Sequence, residues 1–180
     1  MDRHSEKIVP LRMFRENLEN IPEFALSHGF ELRWYQPGDE LRWLEIHKQA
    51  DLYNVITPEL FVGQFGKDPE LLAQRQCFLT APGGKVIGTA TAWFNDNFEG
   101  GRIGRVHWVA LLPEYQGRGL SKPLMTAVCK RLRELAHTRA YLSTIIQRKA
   151  AIQLYLRFGF VPFVTNDAQR VVWREILKEM

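Results

Sequence analysis

The stretch that most constrains the fold runs from residue 103 to residue 135 and reads as a strand, a tight glycine turn and a helix. Residues 103–112 are rich in Val, Ile, Leu and Trp, which is typical of a strand with at least one buried face. Pro113 cannot donate to a sheet ladder, so we expect the strand to stop there. From Leu120 onward, apolar residues recur at helical spacing, at positions 124, 127, 128, 132 and 135. These patterns predict a buried strand that leads through glycines into an amphipathic helix.

Gly117 and Gly119 make the predicted turn a candidate anion site. The first backbone N–H groups of a helix have no internal partner, and the helix dipole adds about half a positive charge at that end. Glycine has no side chain to obstruct a phosphate that approaches residues 117–121. The alternative is that the glycines only make a turn and the helix start meets water. The dinucleotide fingerprint G-x-G-x-x-G is excluded, because Lys122 occupies the position of its third glycine. A P-loop is excluded as well, because it needs four residues between its glycines and only Arg118 separates Gly117 from Gly119.

The pattern Gln116-x-x-Gly119-x-Ser121 resembles the Q/R-x-x-G-x-G/A signature of the GNAT superfamily of acyl-CoA-dependent N-acetyltransferases. The strand before it resembles a landmark of the same family, and so do a later strand at residues 139–145 and the pattern A-x-x-L-Y-x-x-x-G-F at residues 151–160. The order and spacing of these segments carry the resemblance. It implies acetyl-CoA (coenzyme A) as a cosubstrate, with its pyrophosphate on the backbone amides of the signature.

The resemblance implies an α+β (mixed α/β) fold with a central, mixed, mostly antiparallel sheet, helices on both faces and splayed central strands. Residues 30–180 form the predicted N-acetyltransferase domain. Residues 1–29 form an N-terminal extension outside the resemblance, in which residues 8–14 read as an extra strand and residues 15–20 as a short helix.

Three further segments complete the predicted order of elements. Residues 76–94 read as a hairpin around a glycine turn, and residues 95–101 as a polar loop. The chain is predicted to close with an antiparallel pair of strands, residues 160–164 and 169–177.

Composition excludes several other classes of protein. At 180 residues, 46% hydrophobic and 24% charged, the chain suits one globular domain. Its apolar runs are shorter than the ~20 residues of a membrane span and no signal-peptide core is present, so we expect a cytoplasmic protein without a membrane partner. The net charge of +4 comes from scattered residues, which argues against nucleic acid. Cys77 and Cys129 form no disulfide framework or metal-ligand spacing, and no metal is expected.

Acetyl transfer to an amine needs proton handling at both ends, because a primary amine has a pKa of about 10 and a thiol of about 8.5. Tyr155 is the candidate general acid, since a phenol can donate to a sulfur leaving group and the resemblance places it on the family's recurrent tyrosine. Its alternative role is an aromatic core anchor. His107 is the candidate general base; alternation puts it on one strand face with Arg105 and Val109. The alternative is that His107 has a structural role. Glu114 is then a weaker candidate for the general base.

Backbone groups are expected to make most of the cofactor contacts that the resemblance implies. Residues 109–111 would offer N–H and C=O groups to the amides of the pantetheine arm, where the central strands separate after a bulge. Ser121 departs from the usual Gly or Ala, and Arg148 stands where many members carry Asn. The predicted cofactor-binding residues are Val109, Ala110, Leu111, Gln116, Gly117, Arg118, Gly119, Leu120, Ser121 and Arg148.

Together these residues predict an N-acetyltransferase that moves an acetyl group from acetyl-CoA directly to a primary amine on a small molecule or a peptide. The alternative is a non-catalytic coenzyme A-binding sensor or interaction domain. Both use the phosphate turn, whereas only the enzyme needs Tyr155 for turnover. The sequence leaves the identity of the acceptor and the formation of a homodimer open.

Overall fold

A computed structural model of the protein describes residues 8–180; residues 1–7, the start of the predicted N-terminal extension, lie outside the described residues. The strands are β1 (Pro10–Arg15), β2 (Glu31–Trp34), β3 (Gln76–Thr80), β4 (Val86–Phe98), β5 (Gly101–Leu111), β6 (Ala140–Ile145) and β7 (Val161–Pro162). The helices are α1 (Asp39–Ala50), α2 (Pro58–Phe65), α3 (Pro69–Arg75), α4 (Ser121–Glu134), α5 (Lys149–Arg157) and α6 (Asp167–Lys178).

One seven-stranded sheet, in the order β2-β3-β4-β5-β6-β1-β7, organises the chain. Neighbouring strands are antiparallel except β5 and β6, which run parallel and pair only at Gly104 with Ala140 and at Arg105 with Tyr141. The larger core lies between the sheet and α4, α5 and α6, and a smaller one lies under α1, α2 and α3. The predicted mixed, mostly antiparallel sheet with helices on both faces is confirmed.

The predicted strand, turn and helix at the centre of the chain are present. β5 ends at Leu111, a short 3₁₀ turn follows at Pro113–Tyr115, and α4 begins at Ser121. Pro123 lies in the first turn of α4, where its missing N–H removes no helical hydrogen bond. The apolar stripe of α4 packs into the larger core through Leu124, Val128 and Leu132.

A bulge at Trp108 interrupts β5. Thr91 of β4 pairs with His107 and Thr89 pairs with Ala110, so the one residue between them on β4 faces two residues on β5. Trp108 has a φ of 51°, in the left-handed region that a bulky residue occupies only when its surroundings hold it there. Beyond Arg105, β5 has no pairing with β6 among the described residues, which is the predicted splay of the central strands.

The stretch assigned to an N-terminal extension contributes a strand to the same sheet. β1 forms six residue pairs with β6 and two with β7, so it lies between them. The predicted helix at residues 15–20 is wrong. The guanidinium of Arg15 donates to the carbonyls of Asn17, Glu19 and Phe158, and these bonds hold the following segment in an irregular conformation. Residue 29 as a domain boundary stays a prediction.

The prediction of a closing antiparallel pair of strands is also wrong. The segment predicted as a strand at residues 169–177 lies within α6, where Asn166 caps the helix by accepting from the Gln169 N–H, and where Trp173 and Ile176 are buried on one face. β7 is therefore only two residues long, and its partner is β1 instead of a C-terminal strand.

The predicted polar loop at residues 95–101 is mostly strand. β4 continues to Phe98, and Glu99 and Gly100 make a two-residue turn with φ values of 48° and 81° before β5 begins. Positive φ at both central positions is the type I′ geometry that suits a hairpin. The buried Phe98 ring stacks on Tyr141 with centroids 4.7 Å apart, which anchors the end of β4.

At Gly104, β5 lies very close to the backbone and side chains of residues 132–139. A Cβ built there would lie 3.1 Å from the Arg139 carbonyl oxygen and 3.1 Å from side-chain atoms of Leu132 and His137, whereas one built at Gly101 of the same strand would meet nothing within 4 Å. We expect Gly104→Ala to lower the free energy of unfolding by about 1–3 kcal/mol through overpacking. Gly101→Ala should change it by less than about 0.5 kcal/mol. Urea denaturation of both variants measures this difference, and equal midpoints would contradict it.

Candidate active site

The turn between β5 and α4 presents a run of free amides. Among residues 8–180, the N–H groups of residues 117–121 donate to no carbonyl or side chain. Gly117 and Gly119 have φ values of 72° and 76°, and a Cβ at either position would meet nothing within 4 Å. Glycine is needed there for the backbone conformation, and the space above the amides is open. Both features fit a phosphate group.

The N-terminus of α4 carries no negative charge of its own. Leu120, its cap residue, is buried and offers no side-chain cap, and the first turn of the helix has no acidic residue. Arg118 is exposed beside the turn, with its guanidinium 5.1 Å from the centre of the Tyr115 ring. An anion is the ligand that this uncapped end favours, because the helix dipole and the unpaired N–H groups act together.

Gln116 has a role at this turn that the sequence did not predict. Its side-chain amide donates to the Leu111 carbonyl at 3.0 Å, so it connects the end of β5 to the start of the turn. The half-buried Val109 and Ala110 precede that contact, on the part of β5 that has no pairing with β6 in the described chain. A free strand edge therefore leads to the free amides of the turn.

Tyr155 lies on the buried face of α5 and belongs to the larger core. Its side chain is 7% exposed, and its hydroxyl makes no hydrogen bond to any of residues 8–180. Burial raises the pKa of Tyr155 to about 12, and the positive charge of Arg148 acts in the opposite direction. The phenol is therefore protonated at neutral pH and has a hydrogen free to donate.

Arg148 joins the start of α5 to the end of α1. Its guanidinium donates to the Asp51 carboxylate at 2.8 Å and lies 5.4 Å from the centre of the Tyr53 ring. The Asp51 side chain is only 5% exposed, so this ion pair is better shielded from water than an ordinary surface pair. The structure thus gives Arg148 a protein partner, and its predicted contact with the cofactor stays a prediction.

His107 is held by a contact that defines its tautomer. Gln64 Oε1 accepts from Trp108 Nε1 at 3.0 Å and lies 2.8 Å from His107 Nε2. An indole N–H can only donate, so the Gln64 atom that it meets is the carbonyl oxygen. His107 Nε2 must then carry a hydrogen, and the lone pair of the neutral ring is on Nδ1. Gln64 lies 43 positions from His107, and no local pattern in the sequence points to it.

The bulge corrects the predicted faces of β5. His107 lies 5.5 Å from Phe65 and Trp108 lies 5.1 Å from Trp43, measured between ring centroids, so these neighbours both face α1 and α2. Val109 packs against the larger core on the other side of the sheet. Simple alternation put His107 and Val109 together and therefore fails at this point.

Two buried histidines flank the Trp108 ring, His47 of α1 with its ring centroid at 5.0 Å and His107 of β5 at 5.9 Å. Burial lowers the pKa of His47 to about 3, with Asp51 raising it and Arg148 lowering it. Burial, together with the charges of Arg105 and His47, lowers the pKa of His107 well below its ordinary value of 6.5. Both rings are therefore neutral at pH 7. The alternative base, Glu114, is exposed and paired with Lys85 at 2.9 Å.

The described part of the chain has neither a metal cluster nor a membrane-spanning helix. No group of three or more His, Cys, Asp or Glu side chains in residues 8–180 is arranged to hold a metal ion. None of the helices there has both the length and the apolar character that crossing a bilayer requires.

Sequence comparison agrees with this geometry. Residues 39–160 match the acetyltransferase (GNAT) family, from the start of α1 to just before β7. That span includes the free amides, the bulge and Tyr155. The chain belongs to the GNAT acetyltransferase family. The part of β5, α4 and α5 that carried the resemblance in the sequence lies inside the matched region.

Individual relatives of this GNAT protein match most of its length. A mycothiol acetyltransferase from Streptomyces coelicolor is 28% identical over 175 residues, covering 91% of this chain and 56% of that protein. One from Pseudarthrobacter chlorophenolicus is 33% identical over 148 residues, covering 78% of this chain and 45% of that protein. The chain thus spans about half the length of these curated relatives. The crystal structure of a GCN5-related N-acetyltransferase from Sphaerobacter thermophilus superposes with a TM-score of 0.62 at 21% identity, covering 87% of this chain and 50% of that one.

Substitution of Gly119 tests the free amides directly. Gly119→Ala places a Cβ at a φ of 76° over the open turn, so we expect coenzyme A affinity to fall roughly tenfold or more through lost charge-assisted hydrogen bonds. Gly83→Ala is the matched control, because Gly83 has a φ of 89° and equally open space in the β3–β4 turn. It should cost similar stability and leave the affinity unchanged. Calorimetry with coenzyme A measures both, and equal losses of affinity would contradict the site.

The neutral His47 predicts a pH dependence of stability. The unfolded chain binds a proton at His47 near pH 6.5 and the folded chain only near pH 3, so the stabilisation that is complete above pH 6.5 is lost as the pH falls. Between pH 6 and pH 4, the free energy of unfolding should fall less steeply in His47→Phe than in the wild type. The two slopes should differ by about 1.4 kcal/mol per pH unit, which corresponds to one proton. The exposed His28 supplies a control variant, His28→Gln, with an unchanged slope. Denaturant titrations across this range measure the slopes; equal slopes for wild type and His47→Phe would refute the assignment.

Proposed function

We propose that this protein transfers an acetyl group from acetyl-CoA to a primary amine. The observation that carries the proposal is the continuity of two free backbone surfaces, the β5 edge after the bulge and the amides of residues 117–121. Coenzyme A has the matching parts, since its pantetheine arm contains amides and its pyrophosphate is an anion. When bound, acetyl-CoA would supply the activated acetyl thioester. The names of the relatives support acetyl as the group transferred.

Each predicted contact has a defined part in this proposal. The backbone of Val109, Ala110 and Leu111 pairs with the pantetheine amides, and the turn holds the pyrophosphate. Gln116 acts by fixing the turn to the end of β5, because its side chain is already bonded to the Leu111 carbonyl.

The two protons are handled by two side chains. Tyr155 donates its phenolic hydrogen to the departing thiolate, and its raised pKa keeps that hydrogen in place until it is needed. His107 accepts the amine proton at Nδ1, directly or through water, because Nε2 carries the hydrogen directed at Gln64. Its lowered pKa means that the ring is not already protonated at neutral pH.

A coenzyme A-binding sensor remains the alternative function. It would bind coenzyme A through the same turn at residues 117–121 and the same β5 edge. It would not need the hydroxyl of Tyr155. The hydroxyl of Tyr155 favours the enzyme, because it bonds to no group among residues 8–180 and is therefore available to a departing thiolate.

Replacement of the phenol separates the two functions. We expect Tyr155→Phe to lower kcat roughly 10²- to 10⁴-fold and to leave coenzyme A affinity nearly unchanged, because only the general acid is lost. Tyr35→Phe is the matched control: Tyr35 is also buried, its pKa is also raised to about 12, and its hydroxyl donates to Glu40, on α1. A thiol-release assay over a panel of amines measures the rates. Tight coenzyme A binding without turnover of any amine would favour the sensor.

A further inference from the structure

A cavity of about 510 Å³ lies over β5, β6 and β1, outside the proposed reaction centre. Its polar lining includes Arg12, Asn95, Arg105, Tyr141, Ser143 and Thr165. Arg105 precedes the bulge and lies two residues before His107, so the two side chains share one face of β5. The cavity therefore opens on the same side of the sheet as the proposed base.

The guanidinium groups of Arg12 and Arg105 both line this cavity. Within residues 8–180, neither Arg12 nor Arg105 forms an ion pair with a carboxylate. The Nε of Arg105 is buried without a hydrogen-bond partner, and its guanidinium lies 5.5 Å from the centre of the Tyr141 ring. The only carboxylate in the lining, Glu99, is exposed and forms no ion pair among the described residues.

Burial and like charge both oppose the positive charge at this point. Burial lowers the pKa of Arg105, the nearby Tyr141 raises it, and the charge of Arg12 lowers it further. A protein ordinarily pairs buried cations with carboxylates, because an uncompensated charge costs free energy. A carboxylate or phosphate that entered the cavity would satisfy both guanidinium groups with charge-assisted hydrogen bonds.

The spacing along β5 relates this anion site to the reaction. Arg105 is two residues from His107 and four from Val109, which follows the bulge and begins the segment proposed to pair with the pantetheine arm. At the rise of a strand, this is a span of roughly 7–13 Å. A single acceptor molecule can therefore have one end at the guanidinium pair and the other at the splay.

We propose that Arg12 and Arg105 bind the anionic end of the acceptor, which is a primary amine with a carboxylate or phosphate group roughly 7–13 Å from its nitrogen. The inference rests on the proposed function, to which it adds the substrate class. Arg12 and Arg105 are specificity residues, since they lie away from the reacting atoms.

Two pairs of amines, each pair with one carbon chain and with or without the anionic group, test this proposal. One pair is 6-aminohexanoate and 6-aminohexanamide, and the other is 5-aminopentyl phosphate and 5-aminopentanol. We expect at least one anionic amine to have a kcat/KM roughly tenfold to a hundredfold above its neutral partner, because charge-assisted hydrogen bonds are the stronger kind. The two pairs distinguish a carboxylate from a phosphate. Equal kcat/KM values within both pairs would overturn the proposal.

Variants locate the effect. Arg12→Gln, at an exposed position of β1, should reduce the preference for the anionic amine roughly tenfold, with little change for the neutral one. Arg133→Gln removes the same charge from an exposed position on α4 and should leave the preference intact. Arg105→Met keeps an apolar stem against Tyr141 and should act like Arg12→Gln. Equal effects of Arg12→Gln and Arg133→Gln would show that only net charge matters and would overturn the site.

Binding measurements separate this proposal from the proposed function. Turnover of the neutral amines reports acetyl transfer alone, whereas the anionic preference reports the cavity. If no amine is acetylated, the proposed function fails, and calorimetry with 6-aminohexanoate and its amide still tests the anion site on wild type and Arg12→Gln. If the anionic amines bind through Arg12 and inhibit turnover of the neutral ones without being acetylated, the site is an anion site but not an acceptor site, and the proposal is overturned.

Discussion

The parallel pairing of β5 with β6 stops after two residue pairs, and the site depends on that stop. The bulge at Trp108 follows at once and needs a left-handed backbone, which a tryptophan adopts only under constraint. The constraint comes from the other side of the sheet, where the Trp108 ring lies 5.1 Å from Trp43 and 5.0 Å from His47 and its N–H donates to Gln64. Packing under α1 and α2 therefore keeps a backbone edge free on β5.

Local patterns in the sequence were sufficient for the centre of the fold. The apolar strand, Pro113, the two glycines and the helical stripe of α4 each act over a few residues, and all of them lie where the sequence predicted. Helical spacing also predicted that Tyr155 points inward, and it is buried on α5; its role as general acid came from the resemblance and stays a prediction. The predicted strand at residues 169–177 was wrong because its apolar residues fit both the two-residue period of a strand and the 3.6-residue period of a helix. The cap at Asn166 and the burial of one face favour the helix.

Contacts between distant segments were not predictable from such patterns. Gln64 contacts His107, Asp51 pairs with Arg148, and Arg12 lines the same cavity as Arg105 only because the sheet brings α1, α2, α5, β1 and β5 together. These contacts determine the tautomer of His107, the partner of Arg148 and the charge of the cavity. The bulge is a second departure from local patterns, because it shifts the later side chains of β5 to the opposite face.

The place of β1 in the sheet has a consequence for assembly of the chain. Arg15 pairs with Ala140, and Pro10 pairs with Ile145, so a strand near the start of the chain completes its ladder only after nearly all other strands have been synthesised. Long-range pairing of this kind is slow, because the intervening chain must be ordered first. Until β1 pairs with β6, the edges of both strands are unpaired. These edges are where two chains would form non-native strand pairs and aggregate during synthesis or refolding.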